Sequence, residues 1–246
     1  RIEAIESENA TVTVVDGSYD DAVARSAEEA DDHTLVISDT SWPGYETVPR
    51  WVIDGYSSIM WEVDDELERR GIATPDVVTV QMGVGAFASA VTRHYRRPGR
   101  EDRPRLLGVE PTRAACVLAS IEAGDVISIP GPHDSIMAGL NCGTPSLIAW
   151  PAVSQGIDVF IAVEDERAKQ AMRLLAEAGF QRYEISAFAQ PGEICRHNRN
   201  YWEFGDYLAL GAGAHGKIST AEGDILRYRK TRLPEHYLAA LDHTRA

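Results

Sequence analysis

Residues 76–87 read DVVTVQMGVGAF, and this stretch decides the fold. The run DVVTVQ is predicted to be a strand whose two faces are both covered by helices, because its core is apolar throughout. Gly83 and Gly85 follow at once, and a helix is predicted from about Gly85 to Tyr95. A strand that passes through a glycine-rich turn into a helix is the repeating unit of a parallel α/β sheet.

The same rhythm extends on both sides of this stretch. It predicts an α/β fold with a partial doubly wound parallel sheet over residues 1–165, followed by an irregular α+β tail over residues 166–246. In the tail we predict a strand at 183–186 and a short last helix from Pro234 to His243. The other predicted strands span residues 10–15, 34–38, 106–109 and 158–163, and the other predicted helices span residues 20–30, 48–70, 112–123 and 164–178.

The amino-acid composition indicates which classes of protein this chain can belong to. The chain has 246 residues, of which 44% are hydrophobic and 25% charged, as is typical of a globular protein. It has no run of about 18 apolar residues, so we predict no membrane-spanning helix, and we expect no signal peptide. Three cysteines rule out a disulfide framework and suit a reducing cytoplasm, which is the location we expect.

The two predicted parts differ in charge. Residues 1–165 carry 28 acidic and 12 basic side chains, whereas residues 166–246 carry 10 and 12. Such an acidic first part argues against nucleic-acid binding, which needs a positive surface. The lysines are Lys169, Lys217 and Lys230, so no function within the first 168 residues can use a lysine amine.

The glycine turn at residues 83–86 has two interpretations. At the start of a helix the backbone N–H groups lack partners, so Gly83, Val84, Gly85 and Ala86 can form a cup for a phosphate group. The other interpretation is a tight turn without a ligand. The turn is neither a dinucleotide fingerprint, because position 88 is alanine, nor a Walker A loop, because no lysine follows.

Asp39 follows the predicted strand 34–38 at its carboxyl end, where ligands collect in doubly wound sheets. It is a candidate for moving a proton, and the alternative is a turn or helix-capping aspartate. Aromatic side chains gather after it, and they either wall a substrate pocket or pack in the core or at an interface. These are Trp42, Tyr45, Trp51, Tyr56 and Trp61.

Cysteine and histidine spacing predicts no metal centre. Cys116, Cys142 and Cys195 form no C-x-x-C motif, so a cysteine-ligated zinc or iron–sulfur site is not supported. We expect Cys116 and Cys142 to be buried, and their pairing is left open. His197 and His215 are able to bind a metal or haem, although a lone loop histidine is more often only hydrogen-bonded. The basic run at 227–232 is interpreted as a solvated strand or hairpin face.

Several separated stretches resemble one family, diaminopropionate ammonia-lyase, which is of the tryptophan synthase β-like, fold type II pyridoxal-phosphate class. The resemblance runs from residue 1 to about 165, and the motifs fall in the family's order. They are residues 14–23 (VVDGSYDDAV), 38–46 (SDTSWPGYE), 49–52 (PRWV), 81–87 (QMGVGAF), 109–111 (VEP) and 136–143 (IMAGLNCG).

This resemblance implies a cofactor, a reaction and roles for the candidate residues. The cofactor is pyridoxal phosphate, and the reaction is the α,β-elimination of 2,3-diaminopropionate to pyruvate and ammonia. Residues 83–86 would hold the cofactor phosphate, and Asp39 would be the acid/base group near the Cα or the amines of a small amino-acid substrate. The family attaches its cofactor through an upstream lysine, and because none precedes Lys169 we expect the chain as given to be inactive.

The last part resembles a second family, the oxygen-independent coproporphyrinogen III oxidase-like radical-SAM proteins, which include haem chaperones. The motifs are residues 178–189 (AGFQRYEISAFA), 195–202 (CRHNRNYW) and 204–217 (FGDYLALGAGAHGK). This implies haem as a partner of the C-terminal part, whereas that family's cluster cysteines are missing. We therefore expect a hybrid chain, with a haem-handling protein and a non-catalytic fragment as alternatives. A homodimer is also expected.

Overall fold

The computed structural model describes residues 2–7, 10–31, 33–184, 187–195, 199–200, 203–207, 215–221 and 223–230. The chain divides into two compact units, residues 1–170 and 171–246. The domain boundary between residues 165 and 166 stays a prediction. Across the described ranges, none of the helices combines the length and apolar character that crossing a bilayer requires.

The first unit alternates helices and strands along the chain, and its last helix contains the division between the units. Two single turns of 3₁₀ helix, Thr112–Ala114 and Ala138–Leu140, lie in the connections. The elements are α1 (Ile2–Glu6), α2 (Tyr19–Ala27), α3 (Thr47–Arg70), β1 (Val77–Gln81), α4 (Ala86–Tyr95), β2 (Arg105–Pro111), α5 (Cys116–Ala123), α6 (Trp150–Gly156), β3 (Val159–Val163) and α7 (Asp165–Glu177).

The three strands form one parallel sheet in the order β1-β2-β3. Val77 pairs with Arg105 and Gln81 with Val109, while Leu107 pairs with Val159. Helix α4 connects the first two strands, and α5 and α6 lie between the second and the third. Parallel strands need crossovers of this length, so the α/β interpretation with a parallel sheet is confirmed.

The bounds of helix α3 agree closely with those predicted from the sequence, and local residues explain the agreement. Its predicted start at residue 48 differs by one residue from the observed start at Thr47. It ends at Gly71, whose φ of +66° is the left-handed conformation that favours glycine after a helix. Ile53 and Met60 lie seven residues apart on one face, and both are buried against the core.

The core lies where α3, α4 and α6 meet one another and the sheet. Val80 of β1 and Leu106 of β2 are buried there, as are Val91 and Tyr95 of α4 and Val153 of α6. Because an interior of this kind is closely packed, it gives α4 a fixed position relative to the strands.

Two predicted strands do not form. Residues 10–15 and 34–38 belong to no strand of the described chain. Leu35 and Ile37 of the second segment are 50% and 74% exposed. β-branched composition favours a strand only where a neighbouring strand supplies hydrogen bonds and packing, and these segments have no such neighbour among the described residues. The predicted helix 112–123 is also divided, into the 3₁₀ turn and α5.

The second unit contains two small antiparallel pairs, as the irregular tail predicted. Strand β4 (Gln181–Arg182) pairs with β5 (Phe188–Ala189), and β6 (His215–Ser219) pairs with β7 (Ile225–Arg229). The strand predicted at 183–186 is displaced to β4, and Ile185 and Ser186 lie outside the described residues. The helix predicted from Pro234 to His243 also lies outside them.

Arg96 joins three connections of the first unit. Its Nε donates to the carbonyl oxygen of Gly156 at the end of α6, and Nη1 donates to that of Pro104 just before β2, both at 3.0 Å. Nη2 donates to Asp158 at 2.6 Å, and the same carboxylate oxygen accepts the Leu106 N–H. The planar guanidinium therefore holds the ends of three elements together.

Glu110 of β2 takes the place of a cap for helix α5. Its carboxylate accepts the N–H of Val117 at 2.9 Å and that of Leu118 at 2.8 Å, the second and third residues of the helix. The side chain is fully buried. Burial raises the pKa of Glu110 to about 7, although the two backbone N–H groups favour its charged form.

A pH-dependent stability term follows from this buried carboxyl. Below about pH 4.5, the ordinary pKa of glutamate, the group is protonated whether the chain is folded or not. Between pH 4.5 and 7 the unfolded chain loses the proton while the folded chain keeps it, so the free energy of unfolding falls as the pH rises. The loss is complete above pH 7 and amounts to about 3 kcal/mol.

We expect the substitution Glu110→Gln to remove that term, as measured by urea unfolding followed by circular dichroism at pH 4.5 and pH 8. Glu122→Gln on the exposed face of the same helix is the matched control and should keep the dependence of the unmodified protein. Equal pH dependence in Glu110→Gln and the unmodified chain would show that folding leaves the pKa of Glu110 unchanged, which would contradict the prediction.

Candidate functional site

The turn between β1 and α4 is the start of the site. Gly85 precedes the first helical residue, Ala86, with φ of +90°, and no side chain caps the helix. The N–H groups of the first helical turn have no partner within a helix, and the helix dipole makes this end positive. The turn is therefore suited to an anion.

Gly83 is required by a close approach. A Cβ atom at this position would lie 3.1 Å from the Cys142 sulfur and 3.4 Å from the Gly139 carbonyl oxygen. Both distances are at or below the lower limit of ordinary contacts, so a side chain would push the loop around residues 139–142 away from the turn. The glycine keeps this loop and the turn in contact.

Buried serines hold the turn against the segment that carries Asp39. The Val84 carbonyl accepts the N–H of Ser146 at 2.8 Å. The Ser146 hydroxyl in turn accepts the N–H of Ser41 at 2.9 Å and donates to the Asp39 carbonyl at 3.2 Å. Ser41 and Ser146 are both buried. The bonds of Ser146 to Ser41 and Asp39 join parts of the chain more than 100 residues apart.

A cavity of about 380 Å³ opens between these parts, and it brings together the two features that the sequence singled out for the cofactor and the substrate. Asp39 and the turn residues Gly83, Val84, Gly85 and Ala86 line the same space. The roles assigned to them stay predictions. The full lining consists of Tyr19, Asp39, Tyr56, Gln81, Gly83, Val84, Gly85, Ala86, Phe87, Gly139, Leu140 and Cys142.

The carboxylate of Asp39 is oriented by a tyrosine. The Tyr19 hydroxyl lies 3.0 Å from Oδ1 of Asp39 and 3.0 Å from Oγ1 of Thr40. Burial raises the pKa of Tyr19 well above its usual value, and the nearby Asp39 charge raises it further. The phenol therefore stays neutral and donates to the carboxylate.

Sequence reasoning missed Tyr19. It begins helix α2, where Ser18 and Asp21 form a capping box, so its local pattern indicates only a helix start. Tyr56 was named only within an aromatic group. It lines the cavity, and burial and the Asp39 charge raise its pKa. Neither role can be predicted from the local sequence, because each depends on a contact between residues that are far apart in the chain.

The other aromatic residues of that group have different surroundings. Trp42 stacks on Tyr45 with ring centroids 4.1 Å apart, and Trp51 is 39% exposed. Trp61 lines a second cavity, described below. The group therefore divides, and Tyr56 is the member that reaches the site.

The two buried cysteines are free thiols. Burial, with a smaller contribution from the charges of Asp20 and Asp39, raises the pKa of Cys142 to about 12. Burial also raises the pKa of Cys116 far above its ordinary value. Both stay protonated at neutral pH and are unsuited to act as nucleophiles. The third cysteine, Cys195, is free and exposed.

Within the part of the chain that the structure describes, no cluster of histidine, cysteine or acidic side chains is arranged to hold a metal ion. His215 begins strand β6, where it pairs with Arg229, and His197 lies outside the described residues. The basic run at 227–232 begins in the β6–β7 hairpin, as predicted for its described residues.

The chain is similar to diaminopropionate ammonia-lyases in both sequence and structure. Diaminopropionate ammonia-lyase from Salmonella typhimurium is 32% identical over 236 residues, which are 91% of this chain and 58% of that protein. The crystal structure of selenomethionine-incorporated holo diaminopropionate ammonia lyase from Escherichia coli superposes with a TM-score of 0.63 and 31% identity, covering 77% of this chain and 46% of that one. The chain thus spans about half the length of the relatives it matches.

A shorter match links the chain to a second group of proteins. The heme chaperone HemW from Haemophilus influenzae is 54% identical over 70 residues, which are 28% of this chain and 18% of that protein. Both resemblances inferred from the sequence are therefore confirmed. The model of one family, described as pyridoxal-phosphate dependent enzyme, matches residues 1–190. On that match, over more than half of its length, the chain belongs to the family of pyridoxal-phosphate-dependent enzymes.

Proposed function

We propose that the cavity beside the 83–86 turn binds pyridoxal phosphate and a small diamino acid, and that the site is of the diaminopropionate ammonia-lyase type. The reaction would be the α,β-elimination of 2,3-diaminopropionate to pyruvate and ammonia. The observation that carries the proposal is that the phosphate cup and Asp39 line one cavity. The similarity to diaminopropionate ammonia-lyases over most of the chain supports it.

The residues present fit this cofactor. The turn begins a helix whose first N–H groups have no helical partner and whose dipole end is positive, and it lines the cavity. The cavity volume of about 380 Å³ is in the range of small-molecule sites. Gly83, Val84, Gly85 and Ala86 would hold the phosphate. When bound, pyridoxal phosphate supplies an electron sink for negative charge at the substrate Cα.

Asp39 would act on the substrate. Its carboxylate suits a ligand that carries two ammonium groups, because one charge-assisted hydrogen bond can bind and orient an amine. From the same position it can accept a proton from the Cα or deliver one to the leaving amine. The hydrogen bond from Tyr19 keeps Oδ1 engaged and leaves Oδ2 for the substrate.

A lysine amine for covalent attachment cannot come from the first 168 residues, because they contain no lysine. We propose that this part of the chain contributes the phosphate cup and Asp39 but not the covalent anchor. The 246-residue chain is accordingly expected to bind the cofactor reversibly and to release no pyruvate. A cytoplasmic location and a second copy of the chain as partner remain proposals of the same kind.

The cup is tested by the substitution Gly85→Ala. A Cβ at φ of +90° strains the backbone by about 1–2 kcal/mol and turns the N–H groups away from the ligand. We expect the affinity for pyridoxal phosphate, measured by isothermal titration calorimetry, to fall roughly tenfold. Gly71→Ala, with φ of +66° and nothing within 4 Å of the added atom, is the matched control. Equal losses in both variants would contradict a phosphate cup at Gly85.

Asp39 is tested by substrate binding to the cofactor-saturated chain. The unmodified protein should bind 2,3-diaminopropionate more tightly than serine, which has a hydroxyl in place of the second amine. Asp39→Asn should abolish this preference, a loss of roughly tenfold, because a hydrogen bond to a charged group is removed. Asp125→Asn, at an exposed position, should retain it. If Asp39→Asn still bound 2,3-diaminopropionate more tightly than serine, the role assigned to Asp39 would be wrong.

A second candidate function concerns the C-terminal part alone. The 54% identity to a heme chaperone over 70 residues supports haem binding there. We expect a titration with haem to shift the Soret band, and His215→Ala to weaken that shift. Absence of any Soret change in the unmodified chain would remove this candidate and leave the lyase-type proposal unaffected.

A further inference from the structure

A second cavity of the first unit lies apart from the phosphate cup. It has a volume of about 650 Å³ and lies between α3, the end of α4 with its following turn, and α6. Ala86 at the start of α4 lines the first cavity, whereas Thr92 and Arg93 near the helix end line the second. A helix of this length spans about 15 Å, so the two cavities are separate sites.

The wall of this cavity is rich in arginine. Arg93, Arg96 and Arg97 line it, and no aspartate or glutamate is among its lining residues. This is unusual for a chain with 38 acidic and 24 basic side chains. Arg93 lies in the last turn of α4 and Arg97 two residues beyond its end, and both line the cavity.

The three arginines differ in how many of their N–H groups already donate a hydrogen bond. The three bonds of Arg96 to Gly156, Pro104 and Asp158 use all of its nitrogen atoms, so it has a structural role. Arg93 donates one hydrogen bond, from Nη1 to Asp54 at 2.9 Å, and its side chain is 50% exposed. Since a guanidinium has five N–H donors, most of those of Arg93 remain available.

Arg97 is also incompletely engaged. Its Nη1 contacts the His94 ring at 2.9 Å, and its Nη2 lies 3.5 Å from Asp64, a long ion pair. The side chain is 45% exposed. Burial and the neighbouring arginines lower the pKa of His94, so this ring does not add charge at neutral pH. Arg93 and Arg97 therefore provide two partly free guanidinium groups beside one cavity.

Apolar and neutral polar surfaces complete the wall. Trp61 is 60% exposed, and Pro98 and Pro151 line the same space. The buried Thr92 hydroxyl has no hydrogen-bond partner within the described ranges, and such groups are rare in folded proteins. A tryptophan beside arginines can stack on a planar ring while the guanidinium groups bind an anionic group.

From these observations we propose that the cavity is a second ligand site, specific for a small molecule that joins a phosphate group to a planar ring. Arg93 and Arg97 bind the phosphate oxygens, a geometry in which guanidinium groups form paired bonds. Trp61 contacts the ring. The helix C-termini nearby each contribute about half a negative charge, which the two guanidinium groups outweigh. The volume exceeds what inorganic phosphate alone would fill.

The test uses 1-naphthyl phosphate as the probe, titrated calorimetrically into the full chain without pyridoxal phosphate, because that cofactor is itself a phosphate joined to a planar ring. We expect saturable 1:1 binding that weakens with added salt, and roughly tenfold weaker binding of inorganic phosphate. Arg93→Gln and Arg97→Gln should each lower the probe affinity roughly tenfold. Trp61→Ala should weaken binding of the probe and leave that of inorganic phosphate unchanged.

The controls separate this site from the phosphate cup. The double variant Arg69→Gln/Arg70→Gln removes two positive charges from α3 outside the cavity and should bind the probe as the unmodified chain does. Arg93→Gln affects one surface ion pair, so folding of this variant is expected even if Arg97→Gln unfolds. Absence of probe binding, loss of probe binding together with cofactor binding in Gly85→Ala, or unchanged affinity in both Arg93→Gln and Trp61→Ala would overturn the proposal. If Gly85→Ala lost cofactor binding but still bound the probe, the result would support a second site that is independent of the phosphate cup.

Discussion

Parallel pairing of β1 with β2 is the constraint on which the candidate site depends. Because Gln81 pairs with Val109 and the Met82 N–H donates to the Val109 carbonyl at 2.9 Å, the chain leaves β1 at a fixed place beside β2. A shift by one residue would turn buried side chains such as Val80 and Leu106 to the opposite face. The register therefore determines where the glycine turn opens and where Glu110 supports α5.

The sequence predicted best those elements whose signals are local. The bounds of α3 and α4 and the stop at Gly71 depend on residues within a few positions, and the observed ends differ by about one residue. The strand predicted at 34–38 rests on an equally clear apolar run. It fails because a strand also requires a partner, which one short stretch of sequence cannot reveal.

The positions of the site residues also depend on contacts between residues that are distant in the chain. Asp39 was predicted to lie where ligands collect because it would follow the end of a strand of the sheet, yet that strand does not form. It lies in the cavity with the turn because Ser41 and Ser146 hold its backbone there. Tyr19, which orients the carboxylate, is 20 residues away and has only a helix-start pattern around it. Predicting such partners requires three-dimensional contacts.

Arg96 has a consequence for the motions of the sheet. Its guanidinium joins the end of α6, the residue before β2 and the residue before β3, and Asp158 also accepts the Leu106 N–H. Opening any one of these connections strains the others. Amide protons at this end of the sheet, including those of Leu106 and Asp158, should therefore exchange with deuterated solvent together, in one cooperative opening, rather than one at a time.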